Sequence, residues 1–175
     1  MTKYAFTLRF ALPSVGMALD EVADRLYGHG CDDALIGIGH RGMVALDFTR
    51  EASSAHVAVM SAITDVTKAV PGAALVAVAP DLVGVTDIAE MVGRSRQNIR
   101  QLMVLCVGTV PAPVHEGKQA LWHLAPVLRW LASEKGYRIG DALMDLAETT
   151  MQINLAIDAL QADPEVEEEL RALFA

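Results

Sequence analysis

Within "SRQNIRQLM", four side chains rich in hydrogen-bond donors stand at i, i+1, i+4 and i+5: Arg96, Gln97, Arg100 and Gln101. On a helix this spacing gathers all four on one side. Arginine can donate two parallel hydrogen bonds to guanine, and glutamine can pair at two points with adenine, so such a face suits the major groove of double-stranded DNA. Ile99 and Leu102 fall on the opposite side and would bury it against a neighbour. Arg94, Ser95, Lys118 and Arg129 are the candidates for holding phosphates, contacts that fix orientation without reading sequence.

The charge distribution singles out the same region. The 175 residues contain 14 Lys and Arg against 22 Asp and Glu, a formal net charge of -8 at pH 7. Yet between Arg94 and Arg138 stand seven basic residues and only two acids, Glu116 and Glu134. One segment is suited to an anion, and the acidic remainder would restrict non-specific attraction to DNA.

Two short helices must position these residues. Thr86 is the expected cap of "DIAEMV", with Ile88 and Val92 inward and Ala89 small enough for a second helix to cross closely. Gly93 supplies the turn, and Ser95 caps the second helix, "RQNIRQLM". Further on, "VPAPVHEGKQALWHLAPVLRWL" combines prolines at 111 and 113, a glycine-tipped hairpin at Gly117, Trp122, and a helix ending in Trp130 and Leu131.

Over residues 83 to 132 these features resemble the winged helix-turn-helix proteins of the MerR and AlpA/excisionase type. The resemblance rests on Ala89, Gly93 and Ser95 in the helix-turn-helix, and on Pro111, Pro113, Gly117, Trp122, Trp130 and Leu131 after it. It implies that Gly117, Lys118 and their neighbours form a wing against phosphate or the minor groove. It also implies that both tryptophans belong to the core. The chain departs from the pattern at Arg94, where an apolar residue is common, and at Ala125, where Ser or Asp usually caps the last helix.

The N-terminal half reads differently. "YAFTLRFAL" alternates, with Tyr4, Phe6, Leu8, Phe10 and Leu12 on one face, and predicts a half-buried strand. Pro13 and Ser14 mark a helix start, followed by Val15, Leu19, Val22 and Leu26 at helical spacing. "ALIGIG" and "MVALDF" predict a hairpin. A helix from Ser53 or Ser54 presents Val59, Ile63, Val66 and Val70, and "ALVAVA" forms a last strand. The expected fold class is thus α+β: a ferredoxin-like βαββαβ sandwich over residues 1–81, then the winged helix-turn-helix over 82–136. Residues 137–175 complete the chain with an oligomerisation helix and a short acidic helix.

In that last segment Ile139, Leu143, Leu146, Thr150, Ile153, Ile157 and Leu160 recur at intervals of four and three, a heptad seam. Such a stripe can dock on its own core or pair between chains. Two-fold DNA readers gain affinity from palindromic sites, so the expectation is a coiled-coil-like homodimer.

Other signals carry less. "GIGHRG" from Gly37 matches G-x-G-x-x-G, but the following "MVALDF" reads as a strand where a dinucleotide fingerprint needs a helix. "HGCDD" reads as a loop with Asp32 and Asp33 solvated, and His115 and His123 as polar or partly buried groups. No metal, cofactor, catalytic motif or membrane segment is expected, and Cys31 and Cys106 suggest no zinc site or disulfide framework. The expectation is a cytoplasmic, non-enzymatic DNA-binding regulator, a repressor working as a homodimer, with room for a small-molecule or protein effector at the N-terminal domain. The competing class is a protein-interaction or antitoxin-like module binding a partner chain through that domain and the heptad helix.

Overall fold

Alternation in the first segment produces a ten-residue strand. In a computed structural model, which describes residues 1–13, 18–38 and 42–174, β1 (Thr2–Ala11) turns Tyr4, Phe6, Leu8 and Phe10 into the core. Helix α1 (Leu19–Gly28) buries Val22 and Leu26 completely, while the expected start at Ser14 and the apolar position Val15 lie outside the described residues. Strands β2 (Ala34–Ile38) and β3 (Met43–Ala52) pair antiparallel, while residues 39–41 of the glycine motif lie outside the described residues. Ser54 begins α2 (Ala55–Ala69) by accepting a hydrogen bond from Val57 N, and Val59 and Val66 face inward among alanines. Strand β4 (Ala74–Ala79) completes an antiparallel sheet ordered β2-β3-β1-β4, with β1 and β3 inside and β2 and β4 at the edges.

The chain then changes character, giving a mixed α+β fold. After β5 (Leu82–Val83) come α3 (Val85–Met91), α4 (Arg96–Leu105), β6 (Trp122–His123) and α5 (Leu124–Lys135). Ile88, Ile99, Leu124, Leu128, Trp130 and Leu131 form a second apolar core. Two helices follow, α6 (Asp141–Ala159) and α7 (Pro164–Phe174).

Helix α6 serves both cores. Leu146 and Ile153 pack with the sheet's apolar face, whereas Ala147 and Met151 pack with the second core. Polar contacts fix the docking. Asp145 Oδ2 accepts from Tyr4 OH at 2.9 Å and from Ala55 N at 2.8 Å, so this carboxylate also satisfies an open N–H at the start of α2. The Thr150 hydroxyl donates to Pro80 O at 2.5 Å. Asn154 accepts from Val78 N (2.8 Å) and donates to Val78 O (2.7 Å) and to Asp81 Oδ2 (2.8 Å).

This placement differs from a seam open to a second chain. Leu146 and Thr150 are buried within this chain, Leu143 and Ile153 are packed against its two cores, and Ile139 precedes the helix. Ile157 is only half-buried, and Leu160 is 88% exposed. An amphipathic helix buries its stripe wherever apolar surface is offered, and here two cores flank it.

A second correction concerns Asp33, expected in solvent. Arg50 donates to both its carboxylate oxygens, at 2.8 and 3.0 Å, and to Asp65 Oδ2 at 2.8 Å, while its guanidinium lies 5.1 Å from the centre of the Phe48 ring. The bonds to Asp33 hold the Arg50 pKa above its ordinary value. Among the described residues there is no cluster of side chains suited to a metal ion, and no helix is long and apolar enough to cross a membrane.

Arg50→Ala would leave two carboxylates facing each other and should lower unfolding stability by about 2 to 4 kcal/mol, read as a reduced urea midpoint. The cysteines should differ as well. Cys31 is fully buried, and burial, aided by Asp65, pushes its thiol up to about 11, whereas Cys106 is half-exposed. Brief iodoacetamide treatment at pH 8 should therefore modify Cys106 and spare Cys31 until the chain unfolds, as peptide mass spectrometry would show.

Candidate nucleic-acid interface

Local hydrogen bonds set the start of each of the two crossing helices. Asp87 Oδ2 accepts from Gly84 N at 2.8 Å, so α3 starts at Val85, ahead of the start expected from a Thr86 cap. An acid at the third helical position can reach back to an N–H that no helical carbonyl takes. Ile88 and Ala89 are buried, and Arg94 N donates to Ala89 O at 2.8 Å as the chain reverses. Gly93 takes φ +64°, a left-handed conformation that a side chain would resist.

Ser95 caps α4 as its position predicts, accepting from Asn98 N at 3.2 Å. Ile99 and Met103 are buried and Leu102 is half-buried, which leaves Arg96, Gln97, Arg100 and Gln101 exposed. The helix continues past Met103 to Leu105. The chain following α5 steadies its beginning. Arg94 lies 5.4 Å from the centre of the Tyr137 ring, and Tyr137 OH donates to Asn98 Oδ1 at 3.0 Å.

The two tryptophans anchor the return path. Trp130 Nε1 donates to Thr109 Oγ1 at 3.3 Å, and Trp122 Nε1 donates to Pro111 O at 3.0 Å. Trp130 is buried, as expected of a core residue, and Trp122 is half-buried. Between Pro111 and Trp122, Val114 N bonds to Leu121 O (2.8 Å) and Leu121 N to His115 O (3.0 Å), forming a narrow hairpin whose far end carries Gly117 and Lys118. Gln119 folds back so closely on Gly84 that a Cβ there would overlap its amide. Pairing of β5 with β6, Leu82 opposite His123 and Val83 opposite Trp122, ties the hairpin to the segment that begins α3. His123 Nδ1 is 2.7 Å from Asp81 Oδ1, a polar role for a partly buried ring.

These contacts leave a groove of about 750 Å³ between α4 and the hairpin. Arg96 and Arg100 line it from the helix, and Lys118 and Gln119 from the hairpin. Met103, Val107, Val110 and Trp122 supply apolar surface, and Glu116 is its one acid. Among the described residues, no carboxylate stands within 4.0 Å of the charged nitrogens of Arg96, Arg100 or Lys118. Their charge is directed to whatever enters.

No family model, curated protein or solved structure matches the chain.

Of the expected contacts, the groove brings together Arg96, Arg100 and Lys118. Gln97 and Gln101 are exposed on α4 but do not line it, while Arg94 and Ser95 stand at the approach to the helix. Arg129 is engaged elsewhere: its Nε lies 3.2 Å from Glu148, linking α5 to α6. Val104 was not among the expected residues, although its spacing of four from Arg100 places it on the same line of the helix. Gln119 was also missed, because only the folded hairpin brings it beside α3.

Ser95→Ala should cost about 1 kcal/mol by removing the α4 cap. Faster amide exchange at Asn98, with little change in β1 and β3, would locate that loss at the start of the helix.

Proposed function

We propose that the protein is a sequence-specific, double-stranded-DNA-binding transcriptional regulator acting as a homodimer, in which a ferredoxin-like domain supports a winged helix-turn-helix. The βαββαβ order with strands arranged β2-β3-β1-β4 supports the first part of that architecture. The crossing of α3 and α4, followed by the hairpin around Lys118 and by α5, supports the second. The observation carrying the function is the groove lined by Arg96, Arg100 and Lys118, with no carboxylate of the described residues within 4.0 Å of any of their charged nitrogens.

In this reading α4 enters the major groove. Arg96 and Arg100 donate to guanine edges, and Val104 meets a thymine methyl one turn further on. Gln97 and Gln101 extend the reading surface along the neighbouring face of the helix. Lys118 on the wing neutralises phosphate, as do Arg94 and Ser95 at the helix start. Arg129 is left out of this reading: it does not line the groove, and its Nε lies 3.2 Å from Glu148 of α6.

Fluorescence anisotropy with duplex from upstream of the protein's own gene, and with a shuffled duplex, at two salt concentrations, tests the proposal. Tighter binding to the upstream duplex, weakening as salt rises, is the expected outcome; no binding to either duplex at low salt would refute it. Arg100→Ala should weaken binding to the specific duplex by about 1 to 3 kcal/mol, roughly 5-fold to 150-fold, and affect the shuffled duplex far less. Lys118→Ala should weaken both alike and reduce the salt slope by about one.

A further inference from the structure

Among the described residues, neither apolar core includes a residue of helix α7. None of its residues is buried; along one side Val166 and Leu170 are about half exposed, and Leu173 and Phe174 still more so. Those four positions, at i, i+4, i+7 and i+8, form a continuous apolar stripe. Glu167 and Glu169 border it on either side, and Glu165 and Glu168 add to the negative charge of the first turns. Glu167 also pairs with Arg171 at 2.6 Å, whereas Glu169 at the other edge has no ion pair among the described residues.

The groove beside α4 has the opposite character in both respects. Its apolar surface, including Val104, Val107 and Trp122, is open, and the cations along it are Arg96, Arg100 and Lys118. An apolar ridge bordered by carboxylates matches an apolar trough bordered by guanidinium and ammonium groups. The reach of the chain decides whose α7 enters. Tyr137, just before α6, touches Asn98 on α4, and the 19 residues of α6 then carry the chain about 28 Å along its axis. Residues 160–163 span at most about 14 Å, too little to bring the whole stripe back to its own groove.

We propose that α7 of a second copy of this chain docks in the groove between α4 and the Lys118 hairpin. Exchange in both directions gives a closed two-fold dimer. The apolar stripe covers Val104 and Val107, while Glu169, with Glu165 one turn back on the same edge, meets Arg96 and Arg100. Resting on the DNA-binding reading, the same contact regulates the site: the α7-exchanged dimer is the DNA-free form, because an acidic helix seated there occupies the surface offered to phosphate and base, and two copies pair on a palindromic site only once α7 has left the groove.

Sedimentation velocity of the full chain over a hundredfold range of concentration tests the docking without DNA. The expected result is a monomer–dimer equilibrium that weakens as salt rises. The double variant Leu170→Glu, Phe174→Glu, which alters no buried residue, should remain monomeric throughout the range. Arg96→Glu, Arg100→Glu should weaken dimerisation at least tenfold, and adding Glu165→Arg, Glu169→Arg to that variant should restore part of it. A monomeric wild-type chain, or a dimer indifferent to the α7 substitutions, overturns the proposal; a dimer lost on changing α7 but unaffected by the Arg96 and Arg100 reversals overturns the groove as receptor. In the anisotropy assay the α7 double variant should bind the upstream duplex at least threefold more tightly than wild type. If no form binds DNA while the sedimentation results hold, the docking stands and the DNA reading fails.

Discussion

Asn154 satisfies both backbone groups of Val78 and, through the same amide, one oxygen of the buried Asp81 carboxylate. Its position fixes where α6 lies against β4, and much of the remaining architecture follows. Asp81 can be buried because its other oxygen takes His123, while its backbone carbonyl accepts from Leu124 N as α5 begins. A buried carboxylate without such partners would be costly; with them it joins the sheet, the long helix and the segment that begins α5. The same helix therefore sets the position of the domain carrying α4.

The proposed interface depends on that support in a mechanical sense. A side chain that reads a base must be held in place, and the groove residues are exposed, so their backbone has to be stiff. Tyr137 and Ser95 hold the beginning of α4, Ile99 and Met103 its buried face, and the two tryptophans hold the connection to the hairpin. Gln119 against Gly84 closes the loop by bringing the hairpin back to α3. Flexibility is then left to the arginine side chains, not to the frame that carries them.

Much of this was legible in the sequence, for specific reasons. Alternation around Phe6 and Leu8, the apolar spacing of α2 and the Gly93-Ser95 punctuation each report a local rule, and local rules survive folding. The heptad seam is different. Spacings of three and four record that α6 buries a stripe, and Leu146 and Thr150 bury it within the chain, but periodicity carries no information about which surface covers it. The same limit hid the pairing of Arg50 with Asp33 and Asp65 and the diversion of Arg129 to Glu148. Those partners are far apart along the chain and meet only through the fold. The start of α3 differs more narrowly: Thr86 is the expected cap, whereas Asp87 takes the N–H of Gly84 and the helix begins one residue earlier than Thr86.

A sheet with free edges is a template for unwanted strand addition, and the two edges here are managed differently. β2 is only five residues long, which limits what a foreign strand could gain there. β4 is six residues long and would be the better template, but at Val78 both the donor and the acceptor of the backbone are already taken by a side-chain amide. Asn154 thus mimics one residue of a neighbouring strand and stops the ladder from growing. A chain that loses this amide would have a destabilised helix and, in addition, a sticky edge, so aggregation would accompany unfolding.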